Sequence, residues 1–287
     1  TLVEADEFDR SFLHLSPTIA CITSMDLDHL DVYSDAVSLQ DAYEEFASQV
    51  KGSLFVEKNI PLKGITYSVS EEADFYIDGI RPDASGSYFD LHTPDGVYRN
   101  QFFNQLGMHN LSNALVALAM ASKSGLLVED LTKSLASFPG IERRLQVLIN
   151  EKNRVLIDDY AHHPTEIKAV YETLKLSFPA DEKCVVFQPH LFSRTQDFMT
   201  DFAVVLSLFD RVLLLDIYPA REMPIEGVSS GVLKEMISGP SVELIAKKEL
   251  ANRLSLVDER IIVLLGAGDI GIEVEGIKHK LLYNEAL

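Results

Sequence analysis

From Arg154 to Leu176 the chain reads RVLIDDYAHHPTEIKAVYETLKL, and this stretch decides the fold. A short apolar run, Arg154 to Ile157, leads into the polar loop DDYAHHPTE and then into a helix through Leu176. The same order returns downstream. Lys183 to Phe187 leads into QPHLFSRTQ and a helix from Asp197 to Leu208, and Val212 to Leu215 leads into DIYPAREMPIEGVSS and a helix through Ile237. Ile261 to Leu265 then runs into GAGDIG. Repeated strand, polar loop and helix units predict an α/β fold with a doubly wound parallel sheet.

That pattern begins at about Ile141, so a domain boundary is placed near Pro139 to Glu142, dividing residues 1–140 from 141–287. Upstream, PTIACITS (Pro17 to Ser24) is a strand that runs into the acidic loop Met25 to Asp31, and Ala42, Phe46 and Val50 have helical spacing. Between Gly52 and Phe103 the segments ITYSVS, DFYIDGI and SYFDLHTPDGVYRNQFF alternate, with Asp95-Gly96 as a turn, which predicts an antiparallel or mixed sheet. Helices are expected from Asn110 to Ser124, with an Asn start and Gly125 just past its end, and from Val128 to Ser137. Thr1-Leu2-Val3 reads as a strand already under way, so the chain reads as a piece of a longer one.

Composition bounds the function. At 287 residues with 47% hydrophobic and 24% charged residues, the chain has a globular profile and the length of about two domains. Its formal charge of −19 argues against a sequence-independent grip on nucleic-acid phosphate; an anionic ligand would need local help from Arg or helix N-termini. The longest apolar runs fall far short of the ~18 residues of a membrane span. Cys21 and Cys184 sit in apolar, strand-like runs and read as buried free thiols of a reducing compartment, and the protein as cytoplasmic.

In open α/β sheets the loops after the strands' carboxyl ends line the binding crevice. Here those loops hold Asp158, Asp159, His162, His163, His190, Arg194, Asp216 and Arg221. Pro164 suits a first helical position, so His163 would cap a helix whose N–H groups favour an anion, or the motif is simply a good helix start. Glu4 and Asp6, with Asp28, His29 and Asp31 after another strand, could converge on a hard cation such as Mg²⁺, or form a solvated acidic loop. Gly266 to Gly271 matches G-x-G-x-x-G, but only 16 residues follow it, too few for the second strand and acidic residue of a dinucleotide site. It reads as a tight strand-end turn that lets the backbone approach a ligand or a neighbouring element. His162 and Glu166 are spaced i, i+4, yet no third ligand completes a zinc frame.

Taken together, EADEFDRSFLHL, DLDHLDVY, GMHNLSNALVALA, GIERRLQ, DDYAHHPTEI, FQPHLFSRTQDF and DIYPAREMPIEGVSS, in that order along essentially the whole chain, resemble the Mur ligase family. The last two favour its alanine-adding branch over the branch that recycles murein tripeptide. The resemblance implies a truncated central ATPase domain, a mixed sheet with helices, followed by a Rossmann-like C-terminal domain. No G-x-x-x-x-G-K-[ST] occurs in the sequence, so the family's phosphate-binding loop would lie elsewhere and the chain alone is not expected to turn over.

The implied reaction is ATP-dependent joining of L-alanine to the carboxylate of UDP-N-acetylmuramate through an acyl phosphate. Carried over residue by residue, Glu4 and His29 would hold Mg²⁺; His109, Asn110 and Asn113 would meet the adenine side of ATP, with Asn110 also a good N-cap. Arg144 would reach phosphate and Asp159 ribose, although the doubled Arg lets Arg143 exchange roles with Arg144. His162 and Arg194 would position L-alanine and the acyl phosphate, with Tyr160 and His190 as further substrate contacts. Leu191 stands where many relatives carry Arg. Other readings are a murein-peptide ligase, a noncatalytic nucleotide-binding module and, against the short tail, an NAD-dependent enzyme.

Overall fold

The computed structural model describes residues 1–25, 32, 33 and 35–283, residue 36 by its backbone alone. The chain divides into two compact units. The first comprises Thr1–Arg81, Gly86–Asn104 and Met108–Phe138; the second comprises Pro82–Ser85, Gln105–Gly107 and Pro139–Leu287.

The first unit runs β1 (Ile19–Ile22), α1 (Ala36–Gln49), β2 (Ser53–Glu57), β3 (Ile65–Ser68), β4 (Phe75–Asp83), β5 (Gly86–Thr93), β6 (Gly96–Phe103), α2 (Met108–Lys123) and α3 (Val128–Ala136). Its six strands lie in sequence order. The pairs β1/β2, β2/β3 and β3/β4 are parallel and β5/β6 is antiparallel, so the sheet is mixed. Pro94 and Asp95 make the β5–β6 turn, and Gly96, expected in the turn, opens β6 opposite Thr93. Helix α2 ends as its sequence suggests: Gly125 takes φ +95°, and the Leu126 N–H reaches back to the Ala121 carbonyl at 3.3 Å, the geometry of a Schellman cap. It starts two residues before Asn110, which therefore lies inside the first turn and is not the N-cap. The predicted opening strand does not form either. Residues 1–7 join no ladder, and Leu2 and Val3 are exposed.

The second unit runs β7 (Gln146–Asn150), β8 (Val155–Asp159), α4 (Pro164–Ser177), β9 (Lys183–Phe187), α5 (Phe192–Asp197), α6 (Met199–Leu206), β10 (Arg211–Leu214), α7 (Ser230–Met236), β11 (Ser241–Leu244), α8 (Leu250–Leu254), β12 (Ile261–Leu265) and α9 (Val274–Tyr283). The strand order is β11-β10-β9-β12-β8-β7. All pairs are parallel except the edge pair β7/β8. The last strand, β12, thus inserts between β8 and β9, and the order reverses there. In open α/β sheets such a reversal is where ligands bind, at the strands' carboxyl ends.

Alternation along these strands explains why the helices sit on both faces. Val155, Ile157, Val185, Phe187, Val212, Leu214, Ile261, Val263 and Leu265 pack with Ile167, Val170 and Leu174 of α4, Phe202 and Leu206 of α6 and Leu233 of α7. The residues between them, Leu156, Cys184, Val186, Leu213, Ile262 and Leu264, pack with Leu250 and Leu254 of α8 and Val274, Ile277 and Leu281 of α9. Burying each such side chain contributes roughly 1.5–3 kcal/mol. Cys184 lies wholly inside the second layer, where burial pushes its thiol up to about 12 and leaves it inert. Cys21 is free and only partly buried.

No helix among the described residues is long and apolar enough to cross a membrane. Leu264→Ala should destabilise the chain by about 2–5 kcal/mol in urea unfolding. Val204→Ala, on the exposed side of α6, should move it by no more than about 0.5 kcal/mol. Equal effects would contradict the two-layer core.

Candidate functional site

The loops after β8, β9, β10 and β12 meet at the carboxyl edge of the second sheet, where hydrogen bonds between them hold them in place. After β8, one oxygen of the Asp159 carboxylate accepts the Leu145 N–H at 2.7 Å and the other accepts the Ala161 N–H at 2.8 Å. Asp159 is almost fully buried, so its carboxylate shapes the loop. Helix α4 then starts with the box expected of His163 and Pro164. The Thr165 N–H donates to His163 Nδ1 at 3.3 Å, and Glu166 Oε2 accepts the N–H groups of His162 and His163 at 2.8 and 3.1 Å. The chain's own carboxylate therefore occupies this helix start, which favours the plain reading over an anion site there.

His162 follows from that arrangement. Its Nδ1 lies 3.0 Å from the Tyr160 carbonyl, which can only accept, so Nδ1 carries the proton and Nε2 keeps a lone pair in the neutral ring. Glu166 Oε2 lies 3.4 Å from the same Nδ1, which gives Glu166 a supporting place and not the zinc-ligand role that its spacing invites.

After β9, His190 stacks on Tyr218 with ring centroids 5.7 Å apart and approaches His162 edge-on at 6.2 Å. An Arg194 guanidinium nitrogen lies 3.3 Å from His190 Nδ1. Arginine can only donate, so His190 is neutral with Nδ1 accepting. Burial, then the charge of Arg194, then His162, hold its pKa below the ordinary value of 6.5, against a small opposing pull from Glu222. Leu191, at φ +71°, turns the backbone between the strand end and α5. Its carbonyl accepts from the Thr195 hydroxyl at 2.7 Å, and its N–H donates to the Tyr218 carbonyl at 2.9 Å. Glu222, from the loop after β10, accepts the Ser193 N–H at 2.9 Å and its hydroxyl at 2.5 Å. Those two bonds hold the Glu222 carboxyl below its ordinary range.

Sequence reasoning passed over Glu222, Ser193 and Tyr218. Their only signal is position: all three lie in the two loops that carry His190 and Arg194.

The remaining candidates fall as follows. Tyr160 is partly exposed, and Arg144 is exposed with its guanidinium 5.8 Å from the Tyr160 ring. His109, Asn110 and Asn113 occupy the first turns of α2 in the other unit, where His109 and Asn113 are exposed and four residues apart on one face. Glu4 is exposed and offers a hard carboxylate oxygen, while His29, Asp28 and Asp31 lie outside the described residues. Among the described residues no group of three or more His, Cys, Asp or Glu could hold a metal ion.

Gly268 of the G-x-G-x-x-G run lies against Gln188 and Tyr218, with no room for a Cβ; the run serves neighbouring elements. The geometry predicts that Arg194→Gln will raise the His190 titration midpoint toward its ordinary value, read by NMR on the ring Cε1–H. An unchanged midpoint would remove the Arg194–His190 contact.

Two family models match the chain. One, described as the Mur ligase middle domain, covers residues 4–121, and the other, described as the Mur ligase, glutamate ligase domain, covers residues 143–268. UDP-N-acetylmuramate–L-alanine ligases of Christiangramia forsetii and Flavobacterium psychrophilum are each 50% identical to it over 98% of this chain and 63% of their own length. The chain thus spans a little under two thirds of these curated relatives. In fold it is similar to the UDP-N-acetylmuramate–alanine ligase of Thermotoga maritima, with a TM-score of 0.76 at 22% identity over 96% of this chain and 61% of that one. MurF ligase of the same organism, in complex with ADP, gives a TM-score of 0.71 at 17% identity over 96% and 66%. With both domain models matched in order across most of its length, the chain belongs to the Mur ligase family.

Proposed function

We propose that this chain carries the acceptor-positioning part of an ATP-dependent ligase that joins L-alanine to the carboxylate of UDP-N-acetylmuramate. The observation that carries the reading is the convergence of His162, His190 and Arg194 at the carboxyl edge of the second sheet, in a chain half identical to relatives named for that reaction. The enzyme would be cytoplasmic, where ATP is available.

The reaction moves the γ-phosphoryl group of ATP onto the lactyl carboxylate, releasing ADP. The alanine amine then attacks the acyl carbon, phosphate leaves with the C–O bond electrons, and the amine gives up a proton. Both steps bring anions together and need positive charge in a water-poor site. Arg194, held beside His190, would supply it near the acyl phosphate, and exposed Arg144 would reach nucleotide phosphate. The His162 Nε2 lone pair suits it to orient the amine and take its proton near neutral pH. Tyr160 and His190 would line the substrate.

Asp159, whose carboxylate accepts the Leu145 and Ala161 N–H groups, would meet ribose from the same loop. His109, Asn110 and Asn113 would meet adenine. Glu4 and His29 would hold Mg²⁺, which when bound neutralises phosphate charge.

The test joins this chain to the part of the Christiangramia forsetii relative that lies outside the match. Phosphate release should then require ATP, Mg²⁺, UDP-N-acetylmuramate and L-alanine together. His162→Ala should lower kcat/KM for alanine by about 10²–10⁴, the usual worth of a positioned acid–base group. Phosphate release that ignored alanine or the muramate substrate would overturn the assignment.

A further inference from the structure

We infer that Arg143 is a positioning residue, whose guanidinium ties the loops after β8 and β12 together and thereby sets Arg144 and Tyr160 outward for a ligand. The sequence leaves the two arginines interchangeable; the backbone does not. Arg143 and Leu145 both take the left-handed region, at φ +57° and +46°. Such residues cost on the order of 1–3 kcal/mol each and persist only where surrounding bonds hold them.

Here the bonds are visible. The Arg143 N–H donates to Gln146 Oε1 at 3.1 Å, its carbonyl accepts the Tyr160 N–H at 2.8 Å, and Leu145 N–H is held by Asp159. The consecutive side chains differ in burial: Arg143 is partly buried and Arg144 is exposed, and their guanidinium groups lie 5.0 and 5.8 Å from the same Tyr160 ring centroid.

The Arg143 guanidinium contacts three groups of the protein. Nε donates to Asp158 Oδ2 at 3.3 Å, a terminal nitrogen donates to the Gly266 carbonyl, and the planar group lies 5.0 Å from the Tyr160 ring centroid. A Cβ on Gly271 would come within 3.1 Å of Arg143 Cζ, and one on Gly266 within 2.6 Å of the Gln188 carbonyl oxygen. The glycines that imitate a dinucleotide fingerprint therefore make room for a guanidinium and a neighbouring strand end.

Asp158 is 2% exposed, and its Oδ1 has no hydrogen-bond partner among the described residues. Arg143 is thus the cation that faces this buried carboxylate. A lysine has neither the fork nor the plane to reach Asp158, Gly266 and Tyr160 together.

Two roles must be separated, charge balance for Asp158 and positioning of the Tyr160 loop. The chain contains no tryptophan, so Tyr160→Trp installs a single reporter in the 287-residue chain. In that background Arg143→Gln should lower Tm, because it strands a buried carboxylate. Adding Asp158→Asn should restore Tm, while the reporter emission stays red-shifted and its anisotropy low. Emission recovering together with Tm, or emission never affected, would reduce Arg143 to a charge partner.

The functional half rests on the proposed ligase reading and uses the joined protein without the reporter. Arg143→Gln/Asp158→Asn should raise KM for ATP about tenfold, the scale of one lost charge-assisted contact. Unaltered KM for ATP would overturn the positioning role. If the joined protein fails to turn over before any substitution, the ligase reading fails, and the fluorescence comparison still decides the clamp.

Discussion

Strands β8, β9 and β12 are buried on both faces, and that constraint governs the second unit. A strand with helices above and below has no place for polar side chains except at its ends. Asp158 and Asp159 end β8, Gln188 follows β9 directly, and Gly266 follows β12. The insertion of β12 between β8 and β9 brings those ends side by side, so residues more than a hundred positions apart in sequence share one edge. The chemistry collects there because the core excludes it from everywhere else.

Charge at that edge is divided by task. Asp159, Glu166 and Glu222 each accept backbone N–H groups, a use that holds loops. The arginines are divided in the same way. Arg143 is engaged by Asp158 and Gly266, Arg194 lies against His190, and Arg144 is exposed. A chain of net charge −19 can therefore present local positive charge, because the nearby acids are occupied with backbone and each cation is placed by geometry.

Much of the fold is legible in the sequence because its central strands are unbroken apolar runs. Lys183–Phe187 and Ile261–Leu265 read to the residue, and the cap at His163 with Pro164 follows from helix-start chemistry. The edge strands β7 and β11 do not read, since QVLIN has only three apolar residues between polar ends and SVEL carries Glu243 inside it, and both are half exposed. The short α8 and the final α9 do not read either, α5 falls in the stretch that reads as the polar loop QPHLFSRTQ, and the helix expected from Asp197 to Leu208 is α6, Met199–Leu206. Thr1-Leu2-Val3 looks like a strand by composition but makes no pairing, which only a partner strand could supply.

The loops of the site were equally legible, but the roles inside them were not. Choosing Arg144 over Arg143 requires the φ values of the turn and the position of Gly266, and finding Glu222 requires its distance to Ser193, 29 residues away. Neither distance is written in local composition. His29 lies outside the described residues, so its metal role stands on resemblance alone.

If the β8 and β9 loops form one acceptor site, a ligand that fills it must reach both of their histidines. Histidine Cε1–H signals in the joined protein, followed during titration with UDP-N-acetylmuramoyl-L-alanine, test it most directly. His162 and His190 should shift together along one binding curve, while His279, which packs on Tyr283 of α9, stays in place. A product that left both signals unmoved, or shifted His279 as far as the other two, would contradict the account.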